Sequence, residues 1–144
     1  MYNYLAPTKD IEFLLTDYLD IYDKDRKIFS NLDVDFVNMI LSEASKIAEN
    51  DLFPTNASGD KIGCQLENDI VSTPESFKRV FNMLAEGGWF GLDCNEKYGG
   101  QQLPYILSTA VNEVFSSANQ ALTMFVGLTH GAYSAIYTHG TEEQ

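Results

Sequence analysis

Residues 98–144 read YGGQQLPYILSTAVNEVFSSANQALTMFVGLTHGAYSAIYTHGTEEQ, and from Tyr98 to Thr141 the only charge is Glu113. Helices lying on a protein surface carry charges along their outward face. A stretch this long with one charge must be buried within its own domain, be buried against another domain or chain, or line a cavity. It is not a membrane span, because Ser, Thr, Asn, Gln and His interrupt it well short of about 18 consecutive apolar residues. Pro104 opens a helix with Leu107, Ala110, Val111 and Val114 on one face. Ser116, Ser117, Ala118 and Asn119 interrupt the pattern, and a further helix is predicted over residues 121–137, ending near Gly140.

Within that last helix Gly127, Gly131, Ser134 and Thr138 form one stripe of small residues. A glycine in mid-helix costs about 1 kcal/mol relative to alanine, so the pair points to something passing close to the backbone. The pattern leaves a neighbouring helix and a ligand channel both open. His130 shares a face with Val126, Tyr133 and Tyr137, while Glu113 lies away from the apolar stripe of its helix and faces water. Thr141-Glu142-Glu143-Gln144 reads as a capping box with acids in the first turn. It announces a further helix, and the expectation is that these residues are the N-terminal part of something longer.

Towards the N-terminus, Ile11, Leu14, Leu15, Tyr18, Leu19 and Tyr22 recur at helical spacing and predict a helix over residues 10–21. A second stripe runs through Val37, Ile40, Leu41, Ala44, Ile47 and Ala48, with Asp33 as its cap and Pro54 as its end. Residues 55–72 lack a helical period and read as a long loop with room for a short hairpin. Thr73-Pro74-Glu75 starts another helix, with Thr73 as the capping hydroxyl, Phe77, Val80, Phe81 and Leu84 as the stripe and Gly87-Gly88 as the stop. Trp89-Phe90-Gly91-Leu92 is a short apolar run leading into a loop over residues 93–102. The composite is an all-α, up-and-down domain of about five to six helices with one long loop.

The chain's 144 residues allow one core. Its net charge of -12 and few, scattered bases exclude nucleic acid and an anionic membrane surface as partners. The acid is uneven: residues 1–51 hold 11 acids and 5 bases, residues 98–144 only 3 acids and no base. Acids near the N-terminus leave no targeting segment to be read there. Cys64 and Cys94 have no metal-ligand spacing and read as reduced thiols of a cytoplasmic protein. No nucleophile, catalytic residue or metal ligand is assigned. His130 has no acid or histidine one helical turn away, and Gly99-Gly100 lacks the strand, helix and lysine of a phosphate cradle.

Several blocks in order resemble the acyl-CoA dehydrogenases, flavoproteins that desaturate acyl-CoA thioesters. Tyr98-Gly99-Gly100-Gln101-Gln102-Leu103-Pro104 looks like that family's YGGQGLP loop, departing at Gln102 where a glycine is usual. Gly88-Trp89-Phe90-Gly91-Leu92 and His139-Gly140-Thr141-Glu142-Glu143-Gln144 are similar to family blocks on either side. Tyr4, Ala6-Pro7, Asp10 and Phe13-Leu14-Leu15 resemble the N-terminal extension of one subgroup, the larger acyl-CoA dehydrogenases similar to 3-methylmercaptopropionyl-CoA dehydrogenase. Gly59-Asp60, Gly63-Cys64, Glu67-Asn68, Phe115-Ser116-Ser117-Ala118-Asn119 and Gly127-Leu128-Thr129-His130-Gly131-Ala132 add to it.

The resemblance implies an extension over residues 1–32 and the family's N-terminal helical domain over residues 33–144. In such enzymes a β domain and a C-terminal bundle follow. FAD lies mainly between those two, and the glutamate that removes the α-proton comes from the bundle, so neither finds a matching position here. The parent enzyme would use FAD, acyl-CoA and an electron-transferring flavoprotein; this chain alone is expected to bind no flavin tightly and to be inactive. By the match, Val126, Gly127, His130 and Gly131 are the substrate-lining residues. The alternative expectation is a stand-alone, non-catalytic interaction or acyl-binding module. A homo-oligomer through the apolar C-terminal helices stays open in either case.

Overall fold

The computed structural model describes residues 3–23 and 32–144. After an extended lead-in, α1 (Thr8–Phe13) runs into a π-helical turn over Leu14–Tyr18. Then come α2 (Val34–Ile47), a second π-helical turn (Ala48–Leu52), α3 (Phe53–Ile62), a hairpin of β1 (Gln65–Glu67) and β2 (Ile70–Ser72), α4 (Glu75–Glu86) and the long α5 (Tyr105–His139). Short 3-10 turns at Trp89–Gly91 and Glu96–Tyr98 join α4 to α5. The all-α class holds.

Asp33 starts α2 as expected, accepting the Phe36 N–H at 2.7 Å. Pro54 does not end it. The backbone widens into the π-helical turn, where the Phe53 N–H bonds to the Ala48 carbonyl, and α3 begins at once with Pro54 in its first turn. The N–H that proline lacks is one the first turn leaves unpaired in any case. The predicted loop over 55–72 is therefore a helix followed by the hairpin. The hairpin pairs Gln65 with Ser72 and Glu67 with Ile70, and its turn takes Asn68 and Asp69 to positive φ. Thr73 makes no side-chain cap for α4. Pro74 alone marks that helix's start, and Gly88 at φ 74 follows its end.

One core joins these elements. Leu41 and Ala44 of α2, Leu52, Val80 and Leu84 of α4, and Leu107, Val111, Val114 and Leu122 of α5 are buried together. Each such Val or Leu side chain contributes about 1.5–3 kcal/mol on burial. The N-terminal segment belongs to the same core through Ile11, Leu15 and Ile21. Tyr4 Oη anchors it further, donating to the Val114 carbonyl at 3.0 Å and lying 2.6 Å from Ser117 Oγ. The Ala6 N–H donates to Glu49 at 3.1 Å. Among the described residues no helix is long and apolar enough to cross a membrane.

Candidate functional site

The predicted break in the charge-poor stretch is a kink. Asn119 has φ -155 and ψ 88 inside α5, which divides it into arms of residues 105–118 and 120–139. Its side chain is buried and fully used: Oδ1 accepts the Leu122 N–H at 3.0 Å, while Nδ2 donates to Thr55 Oγ1 at 2.9 Å and to the Leu52 carbonyl at 3.4 Å. Asn119 thus caps the second arm and ties the bend to α3. The first arm is buried along its inner face, but the second leaves the core after Leu122.

The two arms and the Trp89–Gly91 turn enclose an open groove of about 330 Å³. Trp89, Phe90, Met124, Val126 and Leu128 supply apolar wall. Ser108, Asn112, Ser116, Gln120 and Thr123 supply polar wall. A smaller cavity of about 240 Å³ shares Phe90, Val126 and His130 with it and reaches Cys94, Gly99 and Tyr133.

The connecting loop is laced to itself. Gln101 N–H donates to the Gly91 carbonyl at 2.9 Å, Gln102 N–H to Cys94 at 2.9 Å and Leu103 N–H to Leu92 at 2.8 Å. A Cβ at Gly100 would collide with the Cys94 backbone, so glycine is required there by close approach. Gln102 nevertheless adopts φ 52, a left-handed conformation that favours glycine.

This loop delivers Asp93 to the second arm. His130 Nε2 lies 2.9 and 3.0 Å from the Asp93 carboxylate oxygens, and Ser108 Oγ donates to the same carboxylate at 3.1 Å. The His130 and Asp93 side chains are 25% and 12% exposed, so the pair is a partly shielded wall element. Tyr105 and Tyr133 flank the imidazole, with ring centroids at 6.4 and 6.1 Å. Tyr133 Oη also accepts the Asn95 N–H at 2.8 Å. Burial, and then the Asp93 charge, push the Cys94 thiol above its ordinary pKa, with a hydrogen bond to Tyr133 opposing them. The ligand atoms of Asp93, Cys94 and His130 lie within 4.8 Å of one another. No sequence spacing showed this cluster, because 37 residues separate the acid from the histidine.

The profile of the acyl-CoA dehydrogenase N-terminal domain matches residues 37–144. The chain belongs to the acyl-CoA dehydrogenase family. It is 28% identical over 143 residues to 3-methylmercaptopropionyl-CoA dehydrogenase of Ruegeria pomeroyi, covering 98% of this chain and 24% of that protein. It is 31% identical over 150 residues to a broad-specificity linear acyl-CoA dehydrogenase of Mycobacterium tuberculosis, covering 100% of this chain and 24% of the relative. A butyryl-CoA dehydrogenase of Syntrophomonas wolfei is 28% identical over 150 residues, with 98% and 24% covered. The chain therefore spans about a quarter of the length of the curated relatives it matches.

Within this family domain, Val126 and His130 line both cavities and Gly127 lines the larger one. Gly131 lines neither of those two cavities. A Cβ built at Gly127 or Gly131 meets nothing within 4 Å, so no other helix of the described residues packs on these two glycines. Glu113 is exposed, as its place on the helix predicts. Sequence reasoning missed Asp93 and Ser108. Both carry ordinary surface-type side chains whose role appears only when α5 folds back over the loop.

Proposed function

We propose that this chain is the N-terminal helical domain of a flavin-dependent enzyme that forms an α,β double bond in an acyl-CoA thioester. Its share of the work is to wall the acyl cavity. One observation carries the reading: the kinked α5 opens a groove whose wall includes Val126, Gly127 and His130, with unfilled space at Gly127. Residues 33–144 form the domain proper and residues 1–32 the subgroup's extension. Gly131 faces the acyl chain or the domain that closes over it. The two free thiols suit the cytoplasmic setting of this reading.

The residues of this chain do not by themselves fit FAD. A dinucleotide's phosphates require cations or converging backbone amides, and among the described residues no Lys or Arg lines either cavity. Lys97, on the adjoining loop, is paired with Glu142 at 2.6 Å. Among the described residues no acid lines either cavity: Glu113 is exposed, and Asp93 is committed to His130 and Ser108. What the chain does supply is orientation and exclusion of water, which act on the barrier without touching the reacting bond. Flavin, catalytic base and the path to an electron-transferring flavoprotein belong to the longer parent protein.

The test compares the full-length protein with residues 1–144 alone. The full-length protein is expected to show a visible flavin band and to reduce dye in the presence of acyl-CoA, and the isolated chain to do neither. Turnover by the isolated chain, or none by a folded full-length protein, overturns the reading.

A further inference from the structure

We infer that the His130–Asp93–Ser108 chain makes the groove selective for acyl-CoA thioesters whose acyl chain carries a hydroxyl group. The inference rests on the acyl-CoA reading above and adds the substrate class.

The larger groove is not a plain hydrocarbon slot. Ser108, Asn112 and Ser116 follow one another a turn apart on the first arm, and Gln120 and Thr123 continue the polar strip across the kink. Ser108, Ser116 and Thr123 are bonded within the protein, but a saturated chain laid on that strip removes water from the Asn112 and Gln120 amides and returns no hydrogen bond, an unfavourable exchange. His130 sits where this groove meets the smaller cavity. Its Nε2 is committed to Asp93, and a carboxylate only accepts, so Nε2 carries the proton. Nδ1 has no partner among the described residues, and the ring is partly exposed on the groove. In the neutral ring Nδ1 accepts; in the imidazolium it donates. A hydroxyl does both, so it is satisfied in either state, whereas an ether or carbonyl oxygen serves only one. A carboxylate-tailed chain is disfavoured, because no Lys or Arg among the described residues lines the groove and Asp93 stands close behind the imidazole. Asp93, held in turn by Ser108, is a positioning residue that fixes the tautomer and the ring angle.

Calorimetric titration of the full-length protein tests this. The ligands are hexanoyl-CoA esters bearing one hydroxyl beyond the β-carbon, each paired with a counterpart carrying methyl in place of hydroxyl. One hydroxyl isomer is expected to bind about tenfold more tightly than its methyl counterpart, the worth of one well-made hydrogen bond in a partly shielded site. His130→Leu should invert that preference, His130→Gln should keep part of it, and Asp93→Asn should lower it, with affinity for the hydroxyl thioester falling more than affinity for its methyl counterpart. A merely structural role would weaken both ligands together. Equal binding of every pair by the wild-type protein overturns this inference alone. No binding of any acyl-CoA overturns the acyl-CoA reading and this inference with it.

Discussion

Asn119 decides more of this structure than any other single polar residue. It is buried, bends α5, caps the second arm and bonds to α3. Asn119→Ala leaves Thr55 Oγ1 without its donor and the Leu122 N–H without its cap, so urea unfolding should show a loss of about 2–4 kcal/mol. Gly127 behaves oppositely. Its missing Cβ faces open space, so Gly127→Ala should stabilise the fold by about 0.5–1 kcal/mol through helix propensity, while weakening acyl-CoA binding by narrowing the groove. A stability gain with unchanged affinity would remove Gly127 from the acyl wall. Cys94 is held above its usual pKa by burial first and Asp93 second. Folded Cys94 keeps its proton after the unfolded thiol has lost its own, so its contribution to stability is full below the ordinary thiol range and declines as pH rises through it. Iodoacetamide should accordingly label exposed Cys64 first, and Cys94 only at alkaline pH.

At the scale of elements, the helices obeyed their caps and stripes where side chains acted locally. Asp33 is one such case, and Asp33→Ala should cost about 1 kcal/mol, read as a lower urea midpoint with an unchanged slope. The run from Val34 to Ile62 shows where local signals fail. Pro54 is a sound stop signal for a regular helix, yet a π-helical turn ahead of it shifts the bonding register and makes it a start. α3 itself has little apolar periodicity; what holds it is buried Thr55 bonded to Asn119 across the kink, and Gly59 packed against the Phe77 ring. None of these contacts is near in sequence. The hairpin beyond it was legible as a possibility within a turn-rich segment but not in its register, because all six of its strand residues are exposed and carry no alternating pattern.

Across the whole molecule the uneven charge acquires a place. Residues 1–51 hold 11 of the 21 acids, and the charge-poor second arm of α5 carries Met124, Phe125, Leu128, Ile136 and Tyr137 exposed. Exposed apolar side chains gathered on one arm are typical of surfaces that meet a ligand, another domain or another chain. Residues 1–144 alone should bind an apolar dye and associate with rising concentration in sedimentation, and Leu128→Glu, at a side chain 77% exposed, should reduce both without loss of helicity. A chain that stays monomeric and dye-free would show the arm to be self-sufficient. The first arm, equally poor in charge, is instead buried in the core, so one compositional signal covers two structural fates.

The amino-acid sequence by itself determined the helical class, the starts of α2, α4 and α5, the break near Asn119 and the family, because those rest on periodicity, capping chemistry and motif order within short windows. Only the tertiary structure decided that 55–62 is helical, that α5 opens a groove lined on one side by polar groups, and that Asp93, Ser108 and His130 form one hydrogen-bonded unit. The physical reason is distance along the chain. A carboxylate and an imidazole 37 residues apart carry no joint signature until a kink and a laced loop bring their atoms within 3 Å.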